Sequence, residues 1–193
     1  MYITRRLEFD AGHRIPDHQS QCRHLHGHRY AIEITLSGDI IDKPGDAANG
    51  MVMDFSRIKD LAKSQLVDAW DHAFLAYAGD RLVVDFLAGM PGHKTVVLDR
   101  VPTAENLARI AFDILDATYR DAYGNDLRLE QVRLYETPNC WADALRGRVD
   151  VCEEWQHQAA NREDRQQRQP NIQPRIQPQS LAPRHRRGAR LGA

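Results

Sequence analysis

The chain has little cysteine and no long apolar run. Its three thiols, Cys22, Cys140 and Cys152, are odd in number and match no disulfide framework. The fold must therefore rest on a buried core, and the thiols are expected to be reduced. No segment reaches the roughly 18–20 consecutive apolar residues that a spanning helix needs, and no charged-then-apolar leader opens the chain. A cytoplasmic protein with no membrane partner is expected. No internal repeat is visible.

A dominant charge is missing as well, since the net charge is −1. The balance hides a split. Residues 161–193 hold eight arginines against Glu163 and Asp164, about +6, which leaves about −7 for residues 1–160. From Trp155 onward Gln, Arg, Pro and Asn dominate, and apolar residues such as Ile172, Ile176 and Leu181 are scattered. Such a segment cannot offset its ordering entropy, so residues 155–193 are expected to be a disordered tail. Its arginines read as solvated rather than as a nucleic-acid contact. Residues 1–154 are long enough for one domain with a real core.

What is present is concentrated in Cys22-Arg23-His24-Leu25-His26-Gly27-His28. Side chains alternate along a strand, so His26 and His28 project from one face, roughly 6–7 Å apart at Cα. The strand continues with apolar Tyr30, Ile32, Ile34 and Leu36 on even positions and polar Arg29, Glu33, Thr35 and Ser37 on odd ones. The two histidines thus share the buried face. A lone histidine there would be an ordinary core residue with one hydrogen bond, whereas two at this spacing need two partners or one metal.

A third ligand comes from an earlier strand. In Ile3–His13 the apolar Ile3, Leu7, Phe9 and Ala11 fall on odd positions, and His13 continues that parity. Three imidazoles without thiolate or carboxylate suit Zn²⁺ with one open coordination position, the arrangement of a catalytic site. His24 shares the parity and stays in contention, although a place in the loop beside Arg23 fits it better. Cys22 is equally well placed as a ligand or as a reactive thiol beside the metal, and an isolated cysteine is often just a small buried group.

The remaining elements follow. Asp54 reads as the N-cap of a helix with Phe55, Ile58, Leu61, Ala62, Leu66 and Ala69 on one face. Asp71-His72 follows Trp70 at its end. The stretch 75–100 is the least readable: 82–87 suits a short helix, and 95–98 suits an edge strand after Pro91-Gly92. Thr103 caps a second helix with Glu105 in its first turn and a buried stripe of Leu107, Ile110, Ala111, Ile114, Leu115 and Thr118. Val132, Leu134 and Glu136 share one face of a third strand, and Trp141–Val151 gives a fourth. A carboxylate ending an apolar face is costly unless paired, so Glu136 must have a cationic or multi-donor partner, a structural arginine being the plain choice.

These pieces together resemble a known family. Phe9-Asp10-Ala11-Gly12-His13, Cys22-x-x-x-His26-Gly27-His28, Met53-Asp54-Phe55, Asp71-His72, Pro102-Thr103-Ala104-Glu105-Asn106-Leu107 and Glu136-Thr137 run in the order of the 6-pyruvoyl- and 6-carboxy-tetrahydropterin synthases, across residues 1–151. The resemblance implies an α+β tunnelling fold (T-fold): a four-stranded antiparallel sheet with two helices on one face, in ββααββ order. It implies homo-oligomers built from trimers, often paired into hexamers, with active sites at subunit boundaries. By the same resemblance His13, His26 and His28 match the zinc ligands and Cys22 the general base. Asp71 and His72 match the relay beside it, Glu136 the glutamate that grips the pterin edge, and Thr103 and Glu105 residues near the ring. The implied substrate is 7,8-dihydroneopterin triphosphate. Three residues between Cys22 and His26 look like the carboxy branch, which forms 6-carboxy-tetrahydropterin for queuosine and related 7-deazapurines. The alternatives are the pyruvoyl-forming synthase, an aldolase-like relative that only trims the side chain, and a non-catalytic zinc- or pterin-binding member. The chain departs from the family pattern at Ala104, at Ala76 and in the length of 79–100.

Overall fold

The computed structural model describes residues 1–147. The expected tail, 155–193, and the last part of the expected fourth strand lie outside the described residues. Six strands form one sheet: β1 (Tyr2–His13), β2 (His26–Gly38), β3 (Ala73–Tyr77), β4 (Thr95–Leu98), β5 (Leu127–Thr137) and β6 (Cys140–Leu145), in the spatial order β4-β3-β1-β2-β5-β6. β1, β2, β5 and β6 pair antiparallel, as the sequence led us to expect. The sheet is nevertheless mixed and six-stranded, not four-stranded. β3 adds to β1 in parallel, and β4 adds to β3 in parallel. β4 and the short helix α3 (Arg81–Ala88) fall where the pattern placed them. β3 was not foreseen, because Ala-Phe-Leu-Ala-Tyr is a short apolar run without alternation, and such a run does not separate strand from helix.

Two helical segments cover one face of the sheet. Asp54 accepts a hydrogen bond from the Ser56 amide and opens α1 (Phe55–Ala62), which runs through a π turn (Lys63–Val67) into α2 (Asp68–Trp70). Ile58, Ala62, Leu66 and Trp70 are spaced by fours and all buried. Four residues overshoot a 3.6-residue turn, and the wider π turn lets this row stay against the sheet. α4 (Ala104–Tyr123) is capped by Thr103, which accepts from the Asn106 amide, and ends at Gly124, whose φ of 59° suits glycine. Its buried residues are Leu107, Ala108, Ala111, Phe112, Leu115 and Tyr119. The stripe is rotated by about one position from expectation, with Ile110 and Ile114 at its rim. Tyr119 Oη donates to the Ile58 carbonyl at 2.9 Å and ties α4 to α1.

Between these layers Ile32, Ile34, Leu36, Val132 and Leu134 meet Ile58, Leu66, Leu107 and Leu115, all fully buried. Each such side chain contributes about 1.5–3 kcal/mol by leaving water. The opposite face of the sheet carries cross-strand ion pairs, Arg6–Glu33, Asp10–Arg29 and Arg133–Asp143. No helix among the described residues is long and apolar enough to cross a membrane.

Candidate metal centre and catalytic site

The β1/β2 register builds a histidine cluster that could hold a metal ion. His13 pairs directly with His26, and Ala11 with His28, so one residue of β1 and two of β2 bring three imidazoles together on the helix-covered face. Ring centroids lie 4.5 Å apart for His13–His26, 4.9 Å for His26–His28 and 5.2 Å for His13–His28. One ligand nitrogen from each ring lies within 4.8 Å of the others. The glycines between them are opposed, Gly12 to Gly27. A Cβ on Gly27 would stand 2.9 Å from the Ala11 carbonyl oxygen, closer than side chains tolerate, so the His-Gly-His spacing is a requirement of strand approach.

Hydrogen bonds aim the rings. His13 Nδ1 lies 2.7 Å from the Pro102 carbonyl, and His26 Nδ1 lies 2.8 Å from the His24 carbonyl. A carbonyl only accepts, so both rings carry their proton on Nδ1 and turn a lone pair on Nε2 inward. The two Nε2 atoms are 3.1 Å apart. Facing lone pairs at that distance repel unless a cation or a proton sits with them. Burial pushes His13 from its ordinary 6.5 down to about 4, against the Pro102 hydrogen bond, and His26 and His28 lower it further. Burial likewise lowers His28, opposed by the Glu136 carboxylate. Three imidazoles held in a fixed cluster fit a divalent metal. His24 uses its carbonyl to orient His26 and is itself exposed.

Glu136 joins this cluster from the end of β5. Its Oε1 lies 3.5 Å from His13 Nε2 and 4.0 Å from His28 Nε2. The partner expected for this carboxylate is thus a pair of imidazoles, not an arginine. Cys22 sits in a single 3-10 turn (Gln21–Arg23), partly buried, and its carbonyl accepts from the Ile15 amide at 2.8 Å, closing the loop that follows His13. Glu136 and Cys22 both lie near enough to Tyr30 to add to the burial that raises its phenol far above the ordinary range. Thr103 is half-buried and is placed beside His13 through the neighbouring Pro102, while Glu105 is exposed in the first turn of α4.

Asp71 and His72 are elsewhere. They follow α2 at the start of β3, where Asp71 Oδ1 accepts from the Asp10 amide at 3.0 Å and contacts His72 Nδ1 at 3.0 Å. That amide bond, with the His72 contact behind it, holds the Asp71 carboxyl below its ordinary range. Asp10 points to the helix-free face, where Arg29 grips it through two bonds of 3.1 Å. His72 has a φ of 57°, uncommon outside glycine, and its side chain is 77% exposed. The structure therefore gathers His13, His26, His28 and Glu136 on one side of the sheet, keeps Cys22 in the loop before β2, and sets Asp71-His72 with Asp10 on the other side. A cavity of about 610 Å³ at the strand ends reaches both, lined by His26, His28, Arg29, His72 and His93 among others.

The sequence reading missed two supports of this arrangement. Lys94 Nζ donates to the carbonyls of Asp68 and Asp71 and pins the Asp71-His72 turn, and Arg14 forms a two-bond pair with the buried Asp80 that anchors the loop after His13. Both partners lie in 79–94 or against it, within the least readable stretch of the sequence.

Residues 2–146 match the family model described as 6-pyruvoyl tetrahydropterin synthase. The 6-carboxy-5,6,7,8-tetrahydropterin synthase of Rickettsia bellii is 39% identical over 141 residues, covering 72% of this chain and 96% of that protein. The protein of the same name from Haemophilus influenzae is 31% identical over 144 residues, covering 73% and 96%. Among solved structures, an uncharacterized protein of Wolinella succinogenes superposes with a TM-score of 0.63 at 21% identity, over 76% of this chain and 98% of that one. The 6-pyruvoyl tetrahydropterin synthase of Caenorhabditis elegans superposes with a TM-score of 0.52 at 23% identity, over 75% and 94%. These two likenesses speak to the fold alone.

Proposed function

The chain belongs to the 6-pyruvoyl tetrahydropterin synthase family, and from there we propose that it is a zinc-dependent lyase of the carboxy branch. Its reaction converts 7,8-dihydroneopterin triphosphate and water to 6-carboxy-5,6,7,8-tetrahydropterin, acetaldehyde and triphosphate, a step toward queuosine and related 7-deazapurines. The reading rests on one observation above all: three imidazoles from two strands converge beside a carboxylate. Relatives 31% and 39% identical that carry the 6-carboxy name favour the branch, as do the three residues between Cys22 and His26.

In this reading His13, His26 and His28 hold Zn²⁺. The ion supplies a Lewis acid for the side-chain hydroxyls of the substrate. Cys22, in the loop that leads into β2, takes a proton from the substrate side chain as general base. Glu136 accepts from the amino and ring N–H groups of the pterin edge, and Thr103 and Glu105 lie near the ring. Asp71 and His72 face away from their own histidine cluster, so they serve as the relay for the Cys22 of a neighbouring subunit. The strained backbone at His72 holds its ring out toward that neighbour. The protein is accordingly a homo-oligomer built from trimers. Its catalytic domain is residues 1–154.

Mass analysis of the products of the zinc-replete protein with 7,8-dihydroneopterin triphosphate tests this. 6-Carboxy-tetrahydropterin with acetaldehyde supports the proposal. Pyruvoyl-tetrahydropterin moves the protein to the other branch, and no product overturns the lyase reading in favour of a zinc- or pterin-binding role.

A further inference from the structure

Tyr30 has a donor it does not use. Its side chain is fully buried, yet its hydroxyl meets no hydrogen-bond partner among the described residues. Buried polar groups are nearly always paired, and one that is not calls for an explanation. Tyr119, equally buried, gives its proton to the Ile58 carbonyl. The Tyr30 ring lies under the histidines, with centroids 5.7 Å from His28 and 6.0 Å from His13, and stacks on Phe9 at 5.3 Å. The β2/β5 ladder ends with Ala31 opposite Tyr135, so Tyr30 and Glu136 are the next residues of the two strands, and the Glu136 carboxylate lies near enough to act on the Tyr30 phenol.

Glu136 has the complementary problem. Its carboxylate faces Nε2 of His13 and His28, the atoms that a metal would take. With those lone pairs engaged, the carboxylate either joins the metal, closing the open coordination position, or needs another donor. The nearby arginines are committed elsewhere: Arg29 to Asp10 on the other face, Arg14 to Asp80. Tyr30 brings an unused hydroxyl donor to this face.

We propose that Tyr30 is a positioning residue: in the metal-loaded protein its hydroxyl donates to the Glu136 carboxylate, holding it off the metal and turned to the pterin edge. The pterin half of this rests on the function proposed above; the bond itself does not. No proton is transferred. A phenol suits the task because its ring is fixed between Phe9 and the histidines, and it brings one donor without a charge.

A double-mutant cycle of Tyr30→Phe and Glu136→Ala tests it, read by thermal melting of metal-free and zinc-loaded protein and by titration with neopterin, a pterin lacking the triphosphate. Metal-free Tyr30→Phe should melt at or above the wild-type temperature, since it only sheds an unpaired hydroxyl. In the zinc-loaded protein the substitution should lower the melting temperature, and the two substitutions should be non-additive. Tyr30→Phe should weaken neopterin binding about tenfold, but have no effect in the Glu136→Ala background. Additive zinc-loaded melts overturn the bond, and unchanged neopterin affinity in Tyr30→Phe overturns its role in pterin recognition. If wild type takes up no neopterin while the zinc-loaded cycle shows coupling, the pterin reading falls and the bond stands.

Discussion

Acid should loosen the metal-free protein well before its carboxylates protonate, and His13 is the reason. Burial holds its folded-state pKa at about 4, against an ordinary value of 6.5. Above pH 6.5 the ring is neutral both folded and unfolded, and the folded state keeps its full stability. Between 6.5 and 4 the unfolded chain binds a proton that the folded one refuses, so stability falls as the pH falls. The slope is about 1.4 kcal/mol per pH unit, so His13 alone costs about 2 kcal/mol at pH 5 and about 3 kcal/mol by pH 4. For a domain of this size about 2 kcal/mol lowers the melting temperature by roughly 4–8 °C. His28, also lowered by burial, adds in the same direction. Asp10, Asp54, Asp71 and Asp143 are all held below the ordinary 3.8, so their own losses come at lower pH. Melts of chelator-stripped protein from pH 7 to 4.5 read the effect, with His13→Gln as the control that flattens the curve. A wild-type melting temperature constant between pH 7 and 5 would refute a buried neutral cluster, as would an unchanged slope in His13→Gln.

Three further outcomes follow from the same geometry. His28→Ala should lose the metal while Cys22→Ala keeps zinc and pterin binding but loses turnover; metal analysis of both variants checks this, and zinc loss from Cys22→Ala would make the thiol a ligand. Gly27→Ala forces a Cβ against the Ala11 carbonyl, and should cost about 1–3 kcal/mol by overpacking and weaken zinc uptake, measurable by denaturation and by titration with a colorimetric chelator. Co-expression of Cys22→Ala with Asp71→Ala chains should restore part of the turnover that each lacks alone, because mixed assemblies contain sites with both groups intact; no recovery in verified mixed oligomers would place the relay within one chain.

Much of this was legible because it depends on parity. Two histidines two residues apart on a strand must share a face, and His13 shares that face by the same alternation in β1. The caps at Asp54 and Thr103 are local events, set by one side chain and the amides just after it. β3 was hidden because it pairs in parallel with only three residues of β1, and parallel pairing has no local turn signal. The π turn and the one-position rotation of the α4 stripe were hidden because they answer to packing against the sheet, not to helical period.

The sequence by itself determined the residue types of the cluster and their facing, since side-chain direction follows from backbone geometry alone, whereas the need for glycine at 27 came from the close approach of β1 and β2. Only the tertiary structure decided distance and partnership. It joined β1 to β2 so that His13 meets His26, gave Glu136 two imidazoles instead of an arginine, and left Tyr30 with an unused donor. It also turned Asp71-His72 to the far face of the sheet. Those are relations between residues far apart in the chain, and no local period encodes which strand a strand will choose.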